Sequence, residues 1–127
     1  MMLNHMSIQC ADLGASATFY DAVLAAVSGR RLIDFSPEAI GYGTTGPEFW
    51  IGGQQTGEGF RETHIAFTAP TRGAVDAFFA AATAQGAEVL YEPKEWPEYT
   101  DGEFVTVYYA AFVRDPDGNN VEACWMA

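Results

Sequence analysis

The chain uses one segment twice. His5-Met6-Ser7-Ile8-Gln9 and His64-Ile65-Ala66-Phe67-Thr68 lie 59 residues apart, and the alignment runs without a gap as far as Tyr20. Gly14 then falls on Gly73, Ala15 on Ala74, Phe19 on Phe78 and Tyr20 on Phe79. A fixed internal period means that one supersecondary unit is repeated, and it constrains the fold more than any local propensity does. It also yields equivalent histidines, because His5 and His64 are the only two in the chain. Two modules related by symmetry would turn both toward one shared cleft.

Each half reads as βαβββ. Residues 3–10 alternate as a strand, and Asp12 opens a helix whose Leu13, Ala17, Tyr20 and Leu24 share a face, with Gly29 as its stop. Arg30–Phe35, Ala39–Gly43 and Phe49–Gly52 follow as short strands, separated by turns at Ser36-Pro37 and Thr45-Gly46-Pro47. The polar, glycine-bearing stretch 54–62 is the expected linker between module one, about 1–53, and module two, about 63–127. The second module repeats the order, with a strand at 63–69 and a helix at about 72–85 with Val75, Phe78, Phe79 and Ala82 on its apolar face. Gly86 ends that helix and a strand follows at 87–91. The segment Glu92–Glu103 reads as a long loop, a candidate lid. Thr106–Arg114 and Asn120–Trp125 form a hairpin around Asp115-Pro116-Asp117-Gly118-Asn119. The expected fold is a single α+β domain in which two βαβββ modules form a curled mixed β-sheet with helices on the outer face.

Composition narrows the partners. Six basic against seventeen acidic side chains give a net charge of −11. Nucleic acid is not expected as a partner, because neutralising phosphates needs clustered Lys and Arg. No apolar stretch is long enough to span a bilayer. No basic stretch with apolar run and cleavage site opens the chain, and Cys10 and Cys124 form no C-x-x-C pair. A cytoplasmic location is therefore expected.

Strand alternation sorts the chemistry onto one face. It places His5, Ser7 and Gln9 together in the first strand, His64, Ala66 and Thr68 in its repeat, and Asn120, Glu122 and Cys124 in the last. Two imidazoles and a carboxylate converging on a concave face would hold a divalent metal with open positions for water or substrate. Taken singly, each has a plainer use: a strand histidine bonds to a neighbour, and a glutamate after a turn is solvated. Their equivalent positions favour the common ion. Trp50, Trp96, Tyr99, Tyr108 and Phe104 are candidates to line a pocket, or to pack as ordinary core and loop residues. Cys124 shares the face of Glu122.

The doubled βαβββ pattern, the strand-borne His5 and His64, and the block Phe112-Val113-Arg114-Asp115-Pro116-Asp117-Gly118-Asn119-Asn120-Val121-Glu122 resemble the glyoxalase/bleomycin resistance protein/extradiol dioxygenase superfamily, the vicinal oxygen chelate proteins. The likeness spans essentially the whole chain. It implies that His5, His64 and Glu122 bind one divalent metal ion (Zn, Ni, Fe or Mn), which chelates vicinal oxygens of a small-molecule substrate. It also implies a homodimer, whose ligands come from one chain or from two. Glyoxalase I members add a fourth ligand, a Glu from the last strand of the first module. Here that position holds Trp50 or, by a one-residue slip, Ile51, and neither binds metal. Glu48 shares the face of Trp50, about 7 Å along the strand, and is a candidate both to substitute for that ligand and to line the pocket.

Two functions remain open, beside a vestigial domain that dimerises without chemistry. One is a metal-dependent lyase, isomerase or dioxygenase acting on a small oxygen-rich substrate. The other is a metal-free binding protein of the drug-sequestering, bleomycin-resistance-like kind, suited by acidity and aromatics to a planar cation.

Overall fold

The computed structural model describes residues 2–53 and 58–127, so the first four residues of the expected linker, 54–57, lie outside the described residues. The element order is β1 (Met6–Cys10), α1 (Leu13–Ala25), β2 (Arg30–Phe35), β3 (Ala39–Gly43), β4 (Phe49–Gly53), β5 (His64–Thr68), α2 (Arg72–Ala84), β6 (Val89–Glu95), β7 (Tyr108–Arg114) and β8 (Asn120–Met126). Each module builds one mixed four-stranded sheet, ordered β1-β4-β3-β2 and β5-β8-β7-β6. In both, the first strand pairs parallel with the last, and the other pairs are antiparallel. The α+β expectation holds, as two curled sheets that do not close.

Local chemistry sets the helix ends. The Asp12 carboxylate accepts the Ala15 N–H at 3.0 Å and Thr71 Oγ1 accepts the Ala74 N–H at 3.1 Å, each satisfying one orphan donor of a first turn. The stop of α1 departs from expectation: Ser28, not Gly29, takes the left-handed conformation, at φ 68°. Gly29 matters for space instead. Its N–H bonds the Leu24 carbonyl at 2.8 Å, and an added Cβ would stand 3.1 Å from Leu24 Cβ.

The helices cover one face of each sheet and pack against each other. Between them runs one continuous apolar cluster, with Ile8, Ile40, Phe49 and Ile51 from the first sheet and Ile65, Val113, Val121 and Ala123 from the second. Phe19, Tyr20, Val23 and Leu24 of α1 and Val75, Phe78 and Ala82 of α2 fill it. Leu13 and Phe79, placed on the apolar faces from spacing, are only partly buried.

The Asp115–Asn119 turn does more than reverse the chain. Asp115 is buried and accepts the Tyr20 hydroxyl of α1 at 2.8 Å. Asp117 accepts the Ala11 N–H at 2.9 Å and the Ser16 hydroxyl at 3.3 Å. Asn119 Oδ1 accepts the Thr63 N–H at 2.9 Å. A turn in module two thus clasps the start of α1 in module one, and the same turn leads directly into β8.

A second polar link ties α1 to β2 and β3. Arg31 donates twice to Asp21 at 2.8 Å, and the Tyr42 hydroxyl donates to it at 2.9 Å. Burial pushes the Asp21 carboxyl up, but the bonds from Arg31 and Tyr42 outweigh it and hold the group below its usual 3.8. A depressed carboxyl contributes stability above its unfolded value and loses it as pH falls through the folded one. Asp21→Asn keeps the acceptor for Tyr42 and should flatten the acid limb of a melting-temperature profile below pH 3.8. The pair is half in solvent, so screening keeps the difference within about 1 kcal/mol.

Candidate functional site

The face of the second sheet turned away from the helices gathers His64, Glu122, Tyr108 and Cys124. Its floor is a separate buried cluster of Trp96, Ala110, Phe112 and Cys124, with Leu90 and Tyr108 against it. Registers explain the grouping: Phe112 stands opposite Glu122, Ala110 opposite Cys124, and His64 opposite Asn120. Glu122 is only 2% exposed. Its Oε2 lies 2.9 Å from His64 Nε2, and its Oε1 accepts the Tyr108 hydroxyl. The His64 ring stacks on Phe112 at 5.9 Å. Burial raises the Glu122 carboxyl above its ordinary 4.5, against the opposing pull of Tyr108 and His64. Burial likewise raises the Tyr108 hydroxyl and the Cys124 thiol, so both are held protonated.

The surroundings of His64 decide what this pair requires. Its Nδ1 faces the Asn120 carbonyl at 3.2 Å while its Nε2 faces the Glu122 carboxylate. Both partners are acceptors, whereas a neutral imidazole carries one N–H. If Nδ1–H donates to the carbonyl, the Nε2 lone pair points at a carboxylate oxygen. A second proton or a metal cation must then lie between them. Metal-binding histidines characteristically spend their other N–H on a carbonyl or carboxylate. Asn120 Oδ1 is the one buried side-chain polar atom without a hydrogen-bond partner among the described residues. His64 Nε2 and Glu122 Oε2 are the nitrogen and the oxygen that one chain could offer to a divalent ion.

His5 stands apart. It precedes β1, is exposed, and its Nδ1 lies 2.7 Å from Asn4 Oδ1. Among the described residues no three His, Cys, Asp or Glu are gathered closely enough to hold a metal. One chain thus unites His64 with Glu122 and leaves His5 outside.

The registers also settle which residue of module one corresponds to Glu122. Ser7 pairs with Trp50 as Ala66 pairs with Glu122, and Ser7 and Ala66 are repeat equivalents. Trp50 is therefore the counterpart, while Ile51 points into the core. Trp50 lies over Gly41, where a Cβ would come within 2.8 Å of the indole, and stacks on Phe35 at 6.1 Å. Glu48 lines a cavity with Leu24, Phe49 and Phe67, away from Trp50.

The segment Glu92–Glu103 is not a structureless loop. Its first four residues continue β6, Pro97–Tyr99 form a 3₁₀ turn, and the Asp101 carboxylate accepts the N–H groups of Glu103, Phe104 and Val105. Trp96 is buried, donates its indole N–H to the Ala110 carbonyl at 3.2 Å, and stacks on Tyr99 at 5.3 Å. Phe104 projects into solvent, 81% exposed, and lines nothing. Tyr91, Lys94 and Phe112 escaped the sequence reading. Lys94 Nζ sits 3.9 Å from the Trp96 ring centre, and the Tyr91 ring meets Trp96 edge-on at 4.9 Å. The alternation of Phe112 with Ala110 and Tyr108 was the available signal for the first of these faces.

Comparison with known proteins agrees with this architecture. The family model of the glyoxalase-like domain matches residues 5–124. The chain belongs to that family, within the glyoxalase/bleomycin resistance superfamily. A glyoxalase/bleomycin resistance protein from Albidiferax ferrireducens T118 superposes with a TM-score of 0.81 at 28% identity, covering 98% of this chain and 99% of that one. Lactoylglutathione lyase from Agrobacterium tumefaciens shares the fold at a TM-score of 0.70 and 17% identity, over 98% and 92% of the two chains. A glyoxalase/bleomycin resistance protein/dioxygenase family enzyme from Burkholderia phytofirmans PsJN does so at 0.69 and 22%, over 98% of each. No curated protein matches the sequence. No helix among the described residues is long and apolar enough to cross a membrane.

Proposed function

We propose that the chain is a divalent-metal-dependent lyase, isomerase or dioxygenase acting on a small oxygen-rich molecule. The observation that carries this reading is His64, whose two ring nitrogens both face acceptors. His64 and Glu122 would hold the ion from one chain, and His5 of a second copy would complete a two-His, one-carboxylate set. Support for the second copy comes from the sheet order: β1 and β5 each end a sheet and pair with one strand only, and such edges call for cover. When bound, the metal supplies a Lewis acid for an oxyanion developing on substrate. Phe112 and Trp96 exclude water from the Glu122 side of the site, and Trp50 replaces the fourth carboxylate with an aromatic wall. Two nitrogens and one oxygen suit Zn, Ni, Fe or Mn. The cytoplasm is the proposed location.

The test is metal loading of subunits and their mixtures. Wild type should bind about one equivalent per chain, and His5→Ala and His64→Ala should each bind weakly. Mixing the two variants should restore one of the two sites in each mixed dimer, about a quarter of all sites after full subunit exchange, if one site draws on two chains. A wild type that retains no metal would end this reading.

A metal-free binding role is favoured by a different observation, the Lys94 ammonium seated on Trp96 beside Tyr91. This contact supports a cation-accepting role for the Trp96 and Tyr91 rings. Tight binding of a cationic glycopeptide drug by the His64→Ala variant would support that role.

A further inference from the structure

Glu122 has two oxygens and only one faces His64. The other is taken by the hydroxyl of Tyr108, a residue that stands opposite Met126 and reaches Glu122 diagonally along the neighbouring strand. Tyr108 is itself held from behind. The Tyr99 ring meets it edge-on at 5.3 Å, Tyr99 lies flat on Trp96, and Trp96 is pinned to β7 by its indole N–H. Trp96 further meets Phe112, which carries His64 on its face. A single run of aromatic contacts therefore connects the 3₁₀ turn at Pro97–Tyr99 to both residues of the pair.

We infer that Tyr108 is a positioning residue that engages Glu122 Oε1 and so leaves Oε2 as the oxygen presented beside His64, with the Trp96–Tyr99 segment as its brace. The inference rests on the metal reading of this site. The role assigned to the segment differs from a lid: it packs under the ligand and fixes it, instead of opening over a substrate. Partners that hold a ligating carboxylate typically matter by about 10–100-fold in metal affinity, and a phenol gripping a nearly inaccessible carboxylate belongs in that range.

The experiment is a titration of the metal-free protein with Co²⁺ alone, followed by visible absorption. This reports affinity and coordination without any substrate. Tyr108→Phe should weaken Co²⁺ by about 10-fold or more and change the shape of its visible bands, as Oε1 becomes free to coordinate. Tyr99→Leu, at a half-exposed position, removes the brace alone and should shift affinity in the same direction by about threefold. Tyr109→Phe is the control, since its hydroxyl bonds Asp76 of α2, away from this face, and it should bind like wild type. Wild-type binding with Tyr108→Phe and Tyr99→Leu both within twofold and spectrally unchanged would overturn the role of Tyr108. A wild type that binds no Co²⁺ would overturn the metal reading itself, and the inference with it.

Discussion

Asp115→Ala is expected to lower stability by about 3–5 kcal/mol, at the upper end for a single substitution. The carboxylate accepts four hydrogen bonds: from the Tyr20 hydroxyl at 2.8 Å, from Asn119 Nδ2 at 2.9 Å, and from the N–H groups of Asp117 and Asn119 at 2.9 Å. Alanine leaves all four donors without it. Tyr20 is fully buried, and its burial, reinforced by Asp115, pushes the hydroxyl far above its ordinary range. An abandoned phenol there has no water to turn to. For a chain of this size the loss corresponds to about 10–20 °C in melting temperature.

The companion variant Tyr20→Phe removes one donor and should cost about 1–2 kcal/mol. In the Asp115→Ala background it should cost nearly nothing, because its partner is already gone. Additive costs in that cycle, or an Asp115→Ala protein melting near wild type, would show that the turn does not clasp the modules. The clasp bears on the site because β8 begins immediately after it. Asn120, whose carbonyl faces His64, is the first residue of that strand, and Glu122 is the third.

The duplication was enough to predict the fold. A period of 59 residues, with helix and strand periodicities recurring at the same offsets, leaves few ways to arrange the elements. Alternation also placed His64, Glu122 and Cys124 on one face correctly. It could not say how far His5 lies from them, because facing is a property of a strand while convergence depends on how two modules pair. The end of β6 was missed for a local reason. Glu92-Pro93-Lys94-Glu95 reads as loop from composition, yet β6 is the outermost strand of its sheet, where proline is tolerated. The irregular register between Tyr91 and Lys94 accommodates it. The grip of Tyr108 on Glu122 was hidden by the same limit as His5. Sequence alternation assigns a face, and a long side chain then reaches beyond its own row.

Glu122→Gln separates a metal site from a structural ion pair, because the two predict opposite changes in stability. As a ligand mutation, it should weaken divalent metal by about 100-fold or more. In the metal-free protein the same change should be neutral or stabilising. Glutamine keeps an oxygen for the Tyr108 hydroxyl and turns an N–H toward His64 Nε2, so a neutral imidazole meets one acceptor and one donor in place of two acceptors. The buried charge also disappears. The pH dependence has a fixed sign. Burial raises the Glu122 carboxyl above 4.5 in the folded chain, so between that value and the raised one the folded state holds more protons than the unfolded. Its contribution is fully present below pH 4.5 and is lost as pH rises through the folded value. The melting temperature of metal-free wild type should therefore fall relative to Glu122→Gln across that window, the gap staying constant above it. If the pair serves structure alone, the substitution should instead cost about 3–5 kcal/mol at pH 8, as the loss of one partner from a buried pair does. A variant that binds no metal yet melts at or above wild type would mark Glu122 as a residue kept for its ligand, held in place at the expense of the fold around it.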